Sequence, residues 1–122
     1  MDGYALHYYH TLDIQKLDNA AKEFIGEHNF TSFCTLDKRN SENLIRRVQS
    51  FDVYKNGDII EMKIQANGFL YNMVRIMVGT MLYIAQGKIS EPDIIKIIKA
   101  QNRKKAGPTA PAHGLYLNKI FY

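Results

Sequence analysis

Arg75 is the residue in this chain whose surroundings most demand chemistry. It is the one charge in the run Phe69–Gly87, FLYNMVRIMVGTMLYIAQG. A guanidinium cannot lose its charge, and burying it without a partner is strongly unfavourable. Arg75 should therefore meet an anion. Two readings of it stand. One is a structural ion pair inside the domain. The other is a site residue whose anion lies on another segment or outside this chain. In either case an always-protonated group orients and neutralises a carboxylate, but it is a poor base and no nucleophile.

Three further segments hold residues that a routine core does not require. His28-Asn29-Phe30-Thr31-Ser32-Phe33 reads either as a loop pinned to the core by two phenylalanines or as a histidine and an aromatic ring set against a nucleotide base. Asn67-Gly68-Phe69-Leu70 is a strand-to-helix corner just ahead of Arg75. Ala106–Gly114 carries two prolines and two glycines, which stiffen and shape a loop. Loops of fixed shape often wall a pocket. No serine–histidine–acid set stands out, and no glycine-rich phosphate loop follows a strand. Cys34 is the single cysteine, and His7, His10, His28 and His113 lack zinc spacing. No disulfide within the chain and no metal are expected. The residues read as part of a site without its main reactive group.

The elements that must position these residues follow from periodicity. Tyr4–Tyr9 has strand propensity. Asp13 reads as an N-cap, with Leu12 and Leu17 as a hydrophobic staple, for a helix ending at Gly26. His28–Ser41 reads as irregular. Leu44–Tyr54 and Ile59–Ala66 flank Asn56-Gly57, the strongest short hairpin signal. The second of these strands alternates cleanly, with Ile60, Met62, Ile64 and Ala66 inward. The first does so only if a bulge is inserted near Gln49. Its outward face then carries Arg46, Ser50, Asp52 and Tyr54 beside Glu61, Lys63 and Gln65. Leu70, Met73, Val74, Met77, Val78, Met81, Leu82 and Ala85 place the Arg75 helix, apolar nearly all round and so covered on both sides. Ser90 should cap a further helix, with Glu91, Pro92 and Asp93 in its first turn. Leu115–Tyr122 closes the chain as a strand. The expected fold is α+β, a ferredoxin-like βαββαβ antiparallel sheet with helices on one face and one extra helix before the last strand.

A chain of 122 residues reads as a single domain, 1–122, with room for a real core. Arg75, Asn72, Gly79 and Thr80 argue against a membrane span in the apolar run, and no signal pattern opens the chain. A cytoplasmic protein without membrane contact is expected. The net charge of +4 and pI near 9.2 point to a polyanionic partner. The basic residues bunch at Lys38-Arg39, Arg46-Arg47 and Arg103-Lys104-Lys105, with Phe30, Phe33 and Tyr54 interleaved, which favours nucleic acid.

Four stretches are familiar: G-E-H-N-F-T-S-F at 26–33, I-R-R-V at 45–48, A-N-G-F-L-Y-N-M-V-R-I-M-V-G at 66–79 and A-G-P-T-A-P-A-H-G-L-Y-L at 106–117. In order and spacing the chain resembles the C-terminal half of the TruA-type tRNA pseudouridine synthases. The resemblance implies isomerisation of uridine to pseudouridine in the anticodon arm of tRNA, without metal or organic cofactor. It implies a catalytic aspartate in an R-T-D-x-G-V-H motif of an N-terminal half, and that motif is absent from these 122 residues. The aromatic residue that stacks in the family's active site also belongs to that half. Arg75 carries over as the basic partner of the aspartate. Phe69, Leu70 and the 107–115 loop, with Thr109 and His113, would line the same cleft. His28, Phe30, Phe33, Arg46 and Asn67 are the further candidate RNA-binding residues. Cys34 departs from a position where the family often has arginine. The implied partners are tRNA, the missing N-terminal half and, in the full-length protein, a second copy as a homodimer. Two rival classes are a stand-alone RNA-binding module of RRM-like topology and a structural ferredoxin-like domain that dimerises through its open sheet face. The RRM aromatic consensus strand is missing.

Overall fold

Local sequence signals account for most of the chain's elements in a computed structural model that describes residues 2–9, 13–36, 43–57, 59–89, 93–110 and 115–121. Strand β1 spans Asp2–Tyr9 and helix α1 spans Ile14–Glu23. Asp13 caps α1, its carboxylate accepting from the backbone N–H of Gln15 at 3.0 Å and of Lys16 at 3.3 Å. Strand β2 is short, Gly26–Asn29, and a 3-10 turn follows at Thr31–Phe33. Strands β3, Ile45–Asn56, and β4, Ile59–Ala66, form the hairpin. Helix α2 covers Met73–Ala85 and helix α3 covers Ile94–Ala100. A 3-10 turn at Arg103–Lys105 and strand β5, Leu115–Phe121, complete the order.

All pairings in the five-stranded sheet are antiparallel, in the order β2-β3-β4-β1-β5. Strands β1 and β3 flank β4 and therefore run parallel to each other, joined through α1. Strands β4 and β5 flank β1 in the same way, joined through α2 and α3. Buried residues of all three helices form one core with the alternate residues of β3 and β4, among them Leu17, Phe24, Phe51, Met62, Met77 and Ile97. Among the described residues no helix is long and apolar enough to cross a membrane.

The bulge required by the β3 pattern is present. The register steps from Val48↔Ala66 to Ser50↔Gln65, leaving Gln49 as the extra residue. Its consequence corrects one expectation. Arg46 shares the face of buried Val48, not the open face, because residues two apart on a strand point the same way. Arg47 takes the open-face position, opposite Glu27 at 3.9 Å.

Several boundaries also differ from expectation. Helix α1 stops at Glu23, short of the expected end at Gly26, and Gly26, at φ +114°, starts a strand that takes in His28 and Asn29 of the segment expected to be irregular. Four residues with no apolar alternation carry no strand signal, and only pairing to β3 makes them one. The hairpin ladder runs to Asn56↔Ile59, so its two-residue connection begins at Gly57. The φ of +63° at Gly57 suits a primed turn. Helix α2 begins three residues after Leu70, the expected start, because Asn72 adopts a left-handed φ of 59°. Asp93, not Ser90, caps α3, accepting from the Ile95 N–H at 3.0 Å. Leu12, Ser90, Glu91, Pro92 and the end of the 107–114 loop lie outside the described residues.

Candidate functional site

Helix α2 is apolar on nearly every side, and the structure shows what covers its second face. Residues 107–110 lie along it as a strap. At one end the buried Thr80 hydroxyl accepts from the Gly107 N–H at 2.8 Å while donating to the Ile76 carbonyl at 2.8 Å. At the other, the Ala110 N–H donates to the Arg75 carbonyl at 2.9 Å. Between them Gly79 sits so close to Pro108 that a Cβ there would lie 1.8 Å from the Pro108 carbonyl oxygen. Gly107 packs as tightly on Thr80, where a Cβ would lie 2.8 Å from the Thr80 Cα.

Arg75 is half-buried, and its Nε–H donates to the Ala110 carbonyl at 2.9 Å. No carboxylate among the described residues pairs with it, so the structural ion pair is not found there. A guanidinium has five N–H donors. Its two Nη groups bond no described residue. The arrangement can hold and orient a carboxylate or phosphate, and it offers no nucleophile of its own.

The corner ahead of α2 is built from both strands and the 3-10 segment. Asn67 closes the β3–β4 end, its Oδ1 accepting from the Arg47 N–H at 2.8 Å and its own N–H donating to the Arg47 carbonyl at 3.0 Å. Arg46 lies against Gly68, where a Cβ would be 3.4 Å from its Nε, and one Nη donates to the carbonyls of Asn43 and Ile45. Leu70 is buried and Phe69 half-buried. Thr35 donates its N–H to the Tyr71 carbonyl at 3.0 Å, and the Asn72 amide donates to the Thr35 hydroxyl at 3.2 Å. The left-handed Asn72 thereby ties the start of α2 to the end of the 3-10 segment.

His28 stands opposite Arg46 in the β2–β3 register. Its Nε2 is 3.1 Å from the Ile25 carbonyl and its ring meets Phe30 edge-on at 5.7 Å. Phe30 and Phe33 are fully buried, in a ring cluster with Phe24. Their observed surroundings are those of the core-pinning reading, and they expose no ring face. Thr109 is half-buried on the strap next to Ala110. His113 lies outside the described residues. The sequence thus brings Arg75, Phe69, Leu70 and Thr109 to the start of α2, and His28 and Arg46 to the adjoining strand ends.

Sequence reasoning passed over several residues that hold this region. Ser32 is fully buried, donating to the Ile97 carbonyl at 2.8 Å and accepting from the Asn102 N–H at 2.8 Å. Its neighbour Cys34 is buried, which pushes its thiol pKa up against the pull of the Arg103 and Arg46 charges. Arg103 is half-buried and donates to the Gly107 carbonyl at 2.7 Å. Burial draws its guanidinium below the ordinary range. The strap is therefore held at both ends by an arginine, and neither has a carboxylate partner among the described residues. A serine or threonine within an apolar run was the available signal for Ser32 and Thr80.

A family model described as tRNA pseudouridine synthase matches residues 20–122. The chain is 46% identical over 119 residues to tRNA pseudouridine synthase A of Bacillus licheniformis, covering 98% of this chain and 48% of that protein. It is 45% identical over 122 residues to the protein of that name from Thermoanaerobacter sp. strain X514, covering all of this chain and 50% of the relative. The corresponding Listeria monocytogenes serotype 4b protein is 46% identical over 122 residues, with 98% and 49% covered. The chain spans about half the length of the curated relatives it matches.

Proposed function

Because this chain belongs to the tRNA pseudouridine synthase family, we propose that it is the C-terminal half of an enzyme isomerising uridine to pseudouridine in the anticodon arm of tRNA. In that enzyme the N-terminal half brings the catalytic aspartate to Arg75. The observation that carries the reading is the half-buried Arg75 guanidinium, which has no carboxylate partner among the described residues and lies where the family-like stretches converge. An aspartate placed there would be held ionised and aimed by a charge-assisted pair. Phe69, Leu70 and Thr109 line the same corner, with His113 assigned to it by sequence position. His28 and Arg46 face the RNA from the strand ends, while Phe30, Phe33 and Asn67 act by fixing the surrounding backbone.

The ferredoxin-like layout belongs to the same reading. Its support is the sheet order. With β2 set aside as an added edge, the chain contains two split β–α–β units in antiparallel pairing. The enzyme would work in the cytoplasm without a cofactor, on tRNA, and as a homodimer when complete.

The test has two arms. This chain alone, incubated with a full tRNA transcript, is expected to form no pseudouridine. In the complete synthase, Arg75→Met should cut turnover sharply while leaving the fold and RNA binding in place. Turnover by this chain alone, or an unimpaired Arg75→Met enzyme, would place the catalytic centre elsewhere.

A further inference from the structure

A second basic feature lies at the far end of α2 from the Arg75 corner. A groove of about 590 Å³ opens between the end of α2 and the Arg103–Lys105 turn. Lys88, Arg103, Lys104 and Lys105 line it together with Tyr83, and Gly107 and Pro108 of the strap form one wall. Among the described residues no acidic one lines it. Arg103 is fixed by its bond to the Gly107 carbonyl, and the Lys88 ammonium stands 5.6 Å from the centre of the Tyr83 ring.

Lys88, Lys104 and Lys105 are exposed, so water solvates their charges, and a polyanion threading the groove would neutralise them and release its own counterions. A single phosphate monoester carries up to about two negative charges. Four cations in one groove match a run of phosphodiesters, one charge each, better than one small anion. The pairing of one anchored arginine and three exposed lysines with an aromatic ring suits a nucleic acid strand, whose backbone tracks the charge while a base or sugar meets the ring. We propose that this groove is a distinct RNA-backbone site, which takes successive phosphates of the strand whose uridine lies at Arg75. The proposal rests on the synthase reading above. Helix α2 rises roughly 12 Å from Arg75 to Tyr83. At ~3.4 Å per stacked nucleotide, the groove holds the backbone roughly three or four nucleotides from the target.

The test uses the complete synthase and compares two variants of equal charge loss. K88Q/K104Q/K105Q removes three of the four cations of the groove, and K16Q/K55Q/K99Q removes exposed lysines elsewhere. The groove variant should raise KM for tRNA, and Kd for an anticodon-arm RNA, by roughly tenfold with kcat unchanged. Its plot of log K against log salt should flatten by roughly 2, about 0.7 for each lost phosphate contact on a single strand. K88R/K104R/K105R should restore both values. Equal weakening by the two glutamine variants would overturn the proposal and leave net charge alone. So would a groove variant with unchanged KM and salt slope while Arg75→Met still abolishes turnover, and in that case the synthase reading survives. Inorganic phosphate that saturates the groove without displacing RNA would also overturn it, leaving a small-anion site. A wild-type enzyme that neither binds RNA nor forms pseudouridine would sink the synthase reading itself, and this proposal with it.

Discussion

Gly79 lacks a side chain because the Pro108 carbonyl occupies the space one would need. Gly79→Ala drives its Cβ into the Pro108 backbone carbonyl, a clash that no rotamer change relieves, so it should cost at least ~2 kcal/mol in a urea melt. A near-neutral result would mean that the strap lifts freely from α2. Thr80→Val should cost about 1–3 kcal/mol, since it leaves the buried Gly107 N–H without an acceptor. Arg75 gives a contrasting case. Arg75→Met removes one hydrogen bond to Ala110, and the chain should lose about 1–2 kcal/mol. A loss of roughly 3–5 kcal/mol is the signature of breaking a buried ion pair and would contradict the geometry seen here. Arg75 was legible as an anomaly because a lone charge in an apolar helix is conspicuous in one dimension. Its actual partner, a carbonyl on residues that follow α3, was not, because any backbone carbonyl in the chain was an equal candidate.

At the scale of elements, Glu23 at the end of α1 meets Asp93, the cap of α3. Burial, then the hydrogen bond and charge of Asp93, raise the Glu23 pKa above its ordinary 4.5. The hydrogen bond from Glu23 comes first in holding Asp93 below its ordinary 3.8. These directions put the proton on Glu23 at a pH where the pair holds only one. The raised Glu23 contributes stability at low pH that is lost as pH rises through its folded value. The lowered Asp93 contributes stability at higher pH that is lost as pH falls through its own. The contact is therefore best between the two. Glu23→Gln keeps a donor for Asp93 without the charge, so it should raise Tm at about pH 7, with the gain shrinking towards about pH 4. Thermal melts at both values check it, and a gain independent of pH would rule out the shared proton. The capped helix α1, the hairpin and the alternation of β4 were all legible, because each is set by neighbours within a few residues. The Gln49 bulge was legible as a break in pattern. Its effect on Arg46 required the register. Strand β2 was invisible because its pairing with β3 comes from tertiary contact, and the start of α2 was set by a left-handed Asn72 that no periodicity announces.

In the whole molecule the excursion that contains α3 is closed by the hydrogen bond between Gly107 and Thr80, which are 27 residues apart. Everything between those two points is a polymer ring closed by a clasp. Ring-closure entropy grows only logarithmically, so doubling such a loop costs only about 0.6 kcal/mol. Five Gly/Ser residues inserted after the exposed Gly87 should therefore shift stability by less than ~0.5 kcal/mol in a urea melt. A single residue inserted between Gly107 and Ala110 should cost several times more, because it puts the clasp out of step with Arg75. Equal costs would show that the strap does not measure length. On this account length can change on the α3 side of the clasp, while the run from Gly107 to Ala110 has to keep its count, a ruler laid against α2.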